Sequence, residues 1–146
     1  MNTAARTIRN TFVLSLLSIL GLLGSSTPAP AVEIDFDTYA AVAFSPSTGK
    51  YGYAWNYRSR SAAEQVALSQ CKAADAKIVG WVKGGWLALA IGEENAYGVA
   101  WEYGDGAANT DAVKRALQNL SKQNDKPAVL ICLCSGDVPP RIVKAK

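Results

Sequence analysis

The chain has 146 residues, 49% of them apolar and 18% charged, with three cysteines and no histidine. That length points to one domain, and the missing histidine excludes Ser-His-Asp and Cys-His nucleophile pairs, histidine metal ligands and histidine pH switching. A formal charge of +3 is too small for the basic footprint of a nucleic-acid-binding protein.

Residues 1–31 read as a signal peptide. Arg6 and Arg9 form a positive start, residues 11–24 are an apolar run, and small residues follow up to an A-x-A site ending at Ala31. The run is 14 residues, about 21 Å of helix and short of the ~30 Å hydrocarbon core. The expectation is cleavage after Ala31, a secreted or periplasmic protein, and no stable membrane span afterwards. The remaining 115 residues carry 13 basic and 12 acidic side chains, a net charge of +1.

A strand is predicted over 38–44, followed by the turn cluster Ser45-Pro46-Ser47-Thr48-Gly49. Residues 51–57 alternate large and small side chains, the period of a second strand. Ser61 and Glu64 have capping-box spacing, so a helix should start there with Ala63, Val66, Ala67 and Cys71 inward. A strand over 78–82 closes this half, and Lys83-Gly84-Gly85 hands over to strands at 86–91 and 96–103 around Glu93-Glu94-Asn95. After the loop Gly104-Asp105-Gly106, Thr110 is the predicted N-cap of a helix with Val113, Ala116, Leu117 and Leu120 inward. Residues 129–134 form the last predicted strand, and 136–146, with Pro139-Pro140, should be a flexible basic tail outside the core.

The two halves resemble each other. Tyr51-Gly52-Tyr53-Ala54-Trp55-Asn56-Tyr57 recurs as Tyr97-Gly98-Val99-Ala100-Trp101-Glu102-Tyr103, with five of seven positions identical. The fold expected over 36–135 is therefore one α+β domain of two pseudo-symmetric β-β-α-β repeats, 38–84 and 86–135, with an antiparallel-rich sheet and two helices.

The aromatic strands are the main candidate binding feature. Alternation places Tyr51, Tyr53, Trp55 and Tyr57 on one face, and Tyr97, Trp101 and Tyr103 on another. Either these rings form an exposed platform for sugars, peptides or cell-wall polymer, or they are core with the small residues turned outward. Tyr53, Trp55, Tyr57, Trp101, Tyr103 and Glu102 are the candidate binding residues. Glu102 with Asp105 is the one carboxylate pair suited to glycoside hydrolysis, although Asn56 holds the matching position in the other half. Asp105, Asn109 and Asp111 lack calcium-loop spacing, and Ser47-Thr48-Gly49-Lys50 has the wrong order for a phosphate loop. Arg58 and Arg60, beside the first helix start, read as a solvated face or as contacts to an anionic ligand.

Export makes Cys71, Cys132 and Cys134 disulfide candidates. A bridge from Cys71 to one of the other two would close a loop of some 60 residues, worth ~4 kcal/mol, leaving one thiol unpaired or joined to another chain. The other reading is three reduced, buried cysteines. Three thiols without histidine offer a poor zinc site, and no metal or cofactor is implied.

Residues 39–45, Ser47-Thr48-Gly49, Tyr51-Gly52-Tyr53, Ala62-Ala63-Glu64, Ala67-Leu68, Cys71 and Val79-Gly80-Trp81-Val82 together resemble the bacterial family known as domain of unknown function 4189. The resemblance extends over about 38–135, and Ala88-Leu89-Ala90 and Cys134-Ser135 agree with it. It implies a small exported protein, often cysteine-paired, and supplies no catalytic residues. Members carry further cysteines near the positions of Ala76 and Trp86, which this chain lacks. The expected function is an exported, non-enzymatic binding protein for an envelope or extracellular protein or glycan. The alternatives are a small carboxylate-based hydrolase of cell-wall or glycan substrates, centred on Glu102, and a secreted inhibitor or immunity-type protein.

Overall fold

The computed structural model describes residues 37–104, 106–123 and 125–145. The signal-peptide expectation and Asp105 lie outside the described residues. The element order is β1 (Tyr39–Phe44), β2 (Tyr51–Tyr57), α1 (Arg60–Cys71), β3 (Lys77–Lys83), β4 (Gly85–Gly92), β5 (Tyr97–Tyr103), α2 (Gly106–Ser121), β6 (Pro127–Cys134) and β7 (Arg141–Lys144). These form two antiparallel sheets, β2-β1-β3 and β5-β4-β6-β7, where the sequence reading had a single sheet. The chain is an α+β domain in which each half runs β-β-α-β with its first strand central.

Three apolar layers hold the domain together. Between the sheets lie Val42, Phe44, Val82, Leu87, Leu89, Ile91, Ile131 and Leu133. α1 covers the outer face of the first sheet through Ala41, Ala43, Ala54, Ala63, Ala67 and Cys71. α2 covers the second through Ala88, Ala90, Ala100, Ala112, Ala116 and Leu120. The small residues of β2 and β5 thus face helices, not solvent. Gly52 and Gly98 let the helices approach: a Cβ on Gly52 would overlap the Ala67 carbonyl oxygen and lie 2.5 Å from the Cys71 amide nitrogen. At Gly98 it would overlap the Ala116 carbonyl oxygen and lie 2.5 Å from the Leu120 amide nitrogen.

The same devices hold both hairpin turns. Asp75, after α1, accepts from the Ser45 hydroxyl at 2.5 Å and the Ser47 amide at 3.0 Å. Asp125, after α2, accepts from the Glu94 amide at 3.0 Å and the Ala96 amide at 3.2 Å. Each turn also has one residue at positive φ, Gly49 at 67° and Asn95 at 64°.

Several expectations need correction. Ser59, not Ser61, caps α1: its hydroxyl accepts from the Ala62 amide at 3.2 Å, while Glu64 pairs with Arg60. α2 begins at Gly106 rather than after Thr110, because Ala108 gains burial against the second sheet. Residues 141–144, placed in the expected tail, pair with β6 as an edge strand, although all four side chains remain exposed.

The Cys71 bridge is also overturned. Cys71 lies under α1 and Cys132 and Cys134 lie under α2, with both sheets between them. All three are free and buried.

Candidate functional site

The exposed aromatic side chains are gathered at one open edge of the two sheets. Alternation on β5 puts Trp101 and Tyr103 on one face of the strand; Trp101 is 43% and Tyr103 66% exposed. Opposite them runs β3, a free edge of the first sheet. Its pairing with β1 shifts register between Val42 and Ala43, so that Val42 opposes Gly80 and Ala43 opposes Ile78. The extra residue, Val79, joins the layer between the sheets, while Ile78 and Trp81 face α1. A Cβ on Gly80 would come within 2.9 Å of Leu87 and Val99 methyl groups, so a larger residue would require those side chains to give way for the sheets to close this far here.

These strands and the first turns of α1 enclose a cleft of about 470 Å³, lined by Arg60 and Glu64, the Ile78–Trp81 stretch, Trp101 and Tyr103. The Ser59 cap fixes where α1 starts and therefore where Arg60 and Glu64 stand. Arg60 Nε donates to Glu64 Oε1 at 2.7 Å, and the guanidinium carbon sits 4.0 Å from the centre of the Trp81 ring. The rim is thus an ion pair stacked on an indole, charge-neutral overall.

The six sequence-nominated residues divide. Trp101 and Tyr103 line the cleft. Tyr53 and Trp55 are half-buried in the layer between the sheets, their rings 6.0 Å apart, on the edge strand at the other side of β1. Tyr57 does not share their face. Asn56 has φ of 59°, and the β1–β2 register shifts there, turning Tyr57 to the α1 side beside Tyr39. Glu102 is ion-paired to Arg115 of α2, on the opposite face of β5 from Trp101, and does not line the cleft. The cleft's one carboxylate among the described residues is Glu64, whereas glycoside hydrolysis needs two.

Sequence reasoning missed Glu64, Gly80 and Trp81 and read Arg60 only as a flanking charge. A signal existed. By strand register Gly80 and Trp81 correspond to Ile131 and Cys132 of the other half, since Val42 and Leu89, and Ala41 and Ala88, oppose them respectively. A glycine and a tryptophan stand where the partner half has ordinary core residues.

Elsewhere the thiols are quiet. Burial raises all three, Cys132 to about 11, and Cys71 Sγ donates to the Lys50 carbonyl at 3.3 Å. Asp75 is held down to about 2 by its hydrogen bonds from Ser45 and Ser47. No group of three or more histidine, cysteine or acidic side chains suited to a metal occurs among the described residues, and no helix there is long and apolar enough to cross a membrane.

Comparison with curated proteins and with solved structures gives no match. The model of the family described as Domain of unknown function (DUF4189) matches residues 39–134, which contain every element that builds the cleft. The chain belongs to the DUF4189 family.

Proposed function

We propose that this protein is an exported, non-enzymatic binding protein whose ligand occupies the cleft between α1, β3 and β5. The observation that carries this reading is the pair Trp101 and Tyr103, held on a rigid strand and left exposed at the rim of a concave surface. Large rings on a strand cost little ordering entropy on binding and offer broad contact area. The export half of the reading rests on the signal-like composition of residues 1–31. The hydrolase alternative loses its centre with Glu102 bound to Arg115 on the other face of β5.

The test follows the Trp101 indole N–H resonance, assigned by its loss in Trp101→Phe, during titration with a soluble envelope extract of the producing cells. A shift in the wild type that disappears in Tyr103→Ala is the expected result. An unmoved Trp101 signal would sink the reading. Periplasmic or medium fractions should contain a chain beginning at Val32; an intact cytoplasmic chain would remove the export half.

A further inference from the structure

Resting on the cleft as the binding site, we infer that its ligand is an uncharged oligosaccharide, stacked on Trp101 and Tyr103 and hydrogen-bonded by Arg60 and Glu64. Two rings two residues apart on one strand face stand roughly 6.7 Å apart along the strand. Each can cover the apolar C–H face of one sugar ring, so a chain of at least two units is favoured over a monosaccharide. The cleft volume of about 470 Å³ suits a short stretch of such a chain, within the ~300–1,000 Å³ of small-ligand sites.

The polar rim distinguishes ligand classes. Arg60 uses Nε on one oxygen of Glu64, and its two amino groups make no protein hydrogen bond among the described residues. The guanidinium carbon lies 4.0 Å from the centre of the Trp81 ring and the Arg60 side chain is half-exposed, so its two amino groups are accessible to a ligand. Glu64 retains a second oxygen as an acceptor. Donors and an acceptor therefore stand side by side, which suits hydroxyl groups because each hydroxyl both donates and accepts. A proline-rich chain offers carbonyl acceptors but few N–H groups, so Glu64 would gain nothing from it. Because the Arg60–Glu64 pair is neutral as a whole, a uronate, a phosphate or a cationic peptide gains no net Coulombic attraction there to offset its own desolvation.

The probes are cellotetraose and chitotetraose, read by calorimetry and tryptophan fluorescence, with an oligogalacturonate as the anionic control and a proline-rich peptide as the competitor. At least one neutral sugar should bind saturably, with an affinity that does not change between low and high salt. Trp101→Ala should weaken it about tenfold, as expected for one lost ring contact near the upper end of its range. Glu64→Gln, which releases the Arg60 charge, should weaken the neutral sugar and let the oligogalacturonate bind. Far-UV circular dichroism of each variant separates lost binding from lost fold.

Absence of saturable binding by both neutral sugars to folded wild-type protein overturns the inference. So does binding that Trp101→Ala leaves unchanged, or a preference for the peptide. Should both sugars fail while the envelope extract still moves the Trp101 resonance, the ligand class is wrong and the cleft stands. Failure of the extract as well takes the cleft with it.

Discussion

Replacing Gly52 by alanine tests the helix–sheet contact on which the position of Arg60 and Glu64 depends. The added Cβ would overlap the Ala67 carbonyl oxygen and sit 2.5 Å from the Cys71 amide nitrogen. Both are helix backbone atoms, so no rotamer change can relieve the overlap. Favourable non-bonded separations begin near ~3.5 Å, and α1 must therefore lift by at least about 1 Å at this crossing. A gap of that size forfeits between a quarter and a half of each van der Waals contact it opens. Here the affected contacts are the tight seam of Ala41, Ala43, Ala54, Ala63, Ala67 and Cys71.

Overpacking of this kind costs about 1–3 kcal/mol. Against it stands a gain of roughly 0.4–1 kcal/mol from the lower entropy of the unfolded chain. The net expectation is a loss of about 1.3 kcal/mol, or a fall in melting temperature of roughly 5–7 °C for a domain of this size. Gly98→Ala should lose a similar amount, because its Cβ meets the corresponding atoms of Ala116 and Leu120. The two sites lie in separate helix–sheet layers, so their losses should add. Lifting α1 should also expose Cys71 to thiol reagents, whereas Gly98→Ala should leave that thiol protected. Thermal melts within about 1 °C of wild type for both variants, at a scale of several degrees per kcal/mol, would refute the close approach of the helices.

Three further outcomes follow from the same packing. Cys71, Cys132 and Cys134 should resist Ellman's reagent in the native protein, and all three should react after unfolding in guanidinium; one reactive thiol in denaturant would instead reveal a disulfide. Lys72, the C-cap of α1, is left-handed at φ of 50°, so Lys72→Gly should raise stability by about 1 kcal/mol in urea melts, and a loss would contradict it. Asp75 is depressed to about 2 in the folded state. The stability it contributes is therefore complete above its unfolded value near ~3.9 and is lost as pH falls from there towards about 2. Asp75→Asn should flatten that part of the acid stability profile, and an unchanged slope would contradict the turn contacts.

The strands were legible because alternation is a local property: 51–57 and 96–103 read as strands, and both are. What covered each face was not local. Alternation grouped Tyr53 and Trp55 correctly, but the layer over them is a second sheet from the other half of the chain. The bulge at Asn56 was invisible because asparagine tolerates positive φ without requiring it, and that one residue sends Tyr57 to the opposite face. The disulfide expectation failed for a related reason. Loop-closure entropy depends on sequence separation alone, whereas both sheets separate Cys71 from the other two thiols. β7 was missed because four exposed residues carry no burial pattern; pairing with β6 creates that strand.

The agreement between the halves shows which differences matter. Gly52 and Gly98 seat the helices, Gly49 and Asn95 turn the hairpins, and Asp75 and Asp125 tie those turns to the segments after the helices. Those pairs are explained by folding, since each satisfies the same local requirement. The divergences have no such explanation. β6 is covered by β7, while the corresponding strand β3 is a free edge. Opposite the core positions Ile131 and Cys132, β3 carries Gly80 and Trp81. Trp55 is half-buried, with the neighbouring Asn56 amide donating to the Ser135 carbonyl at 3.2 Å, yet Trp101 at the matching position of β5 is 43% exposed. Gly80, Trp81 and Trp101 all line the cleft, and β3 is uncapped along its edge. Folding alone would have allowed the second half's solution to be used twice. Because β3 is left open, Trp81 and the Arg60–Glu64 pair of the first half and Trp101 of the second surround a concavity, and that concavity is the proposed ligand site.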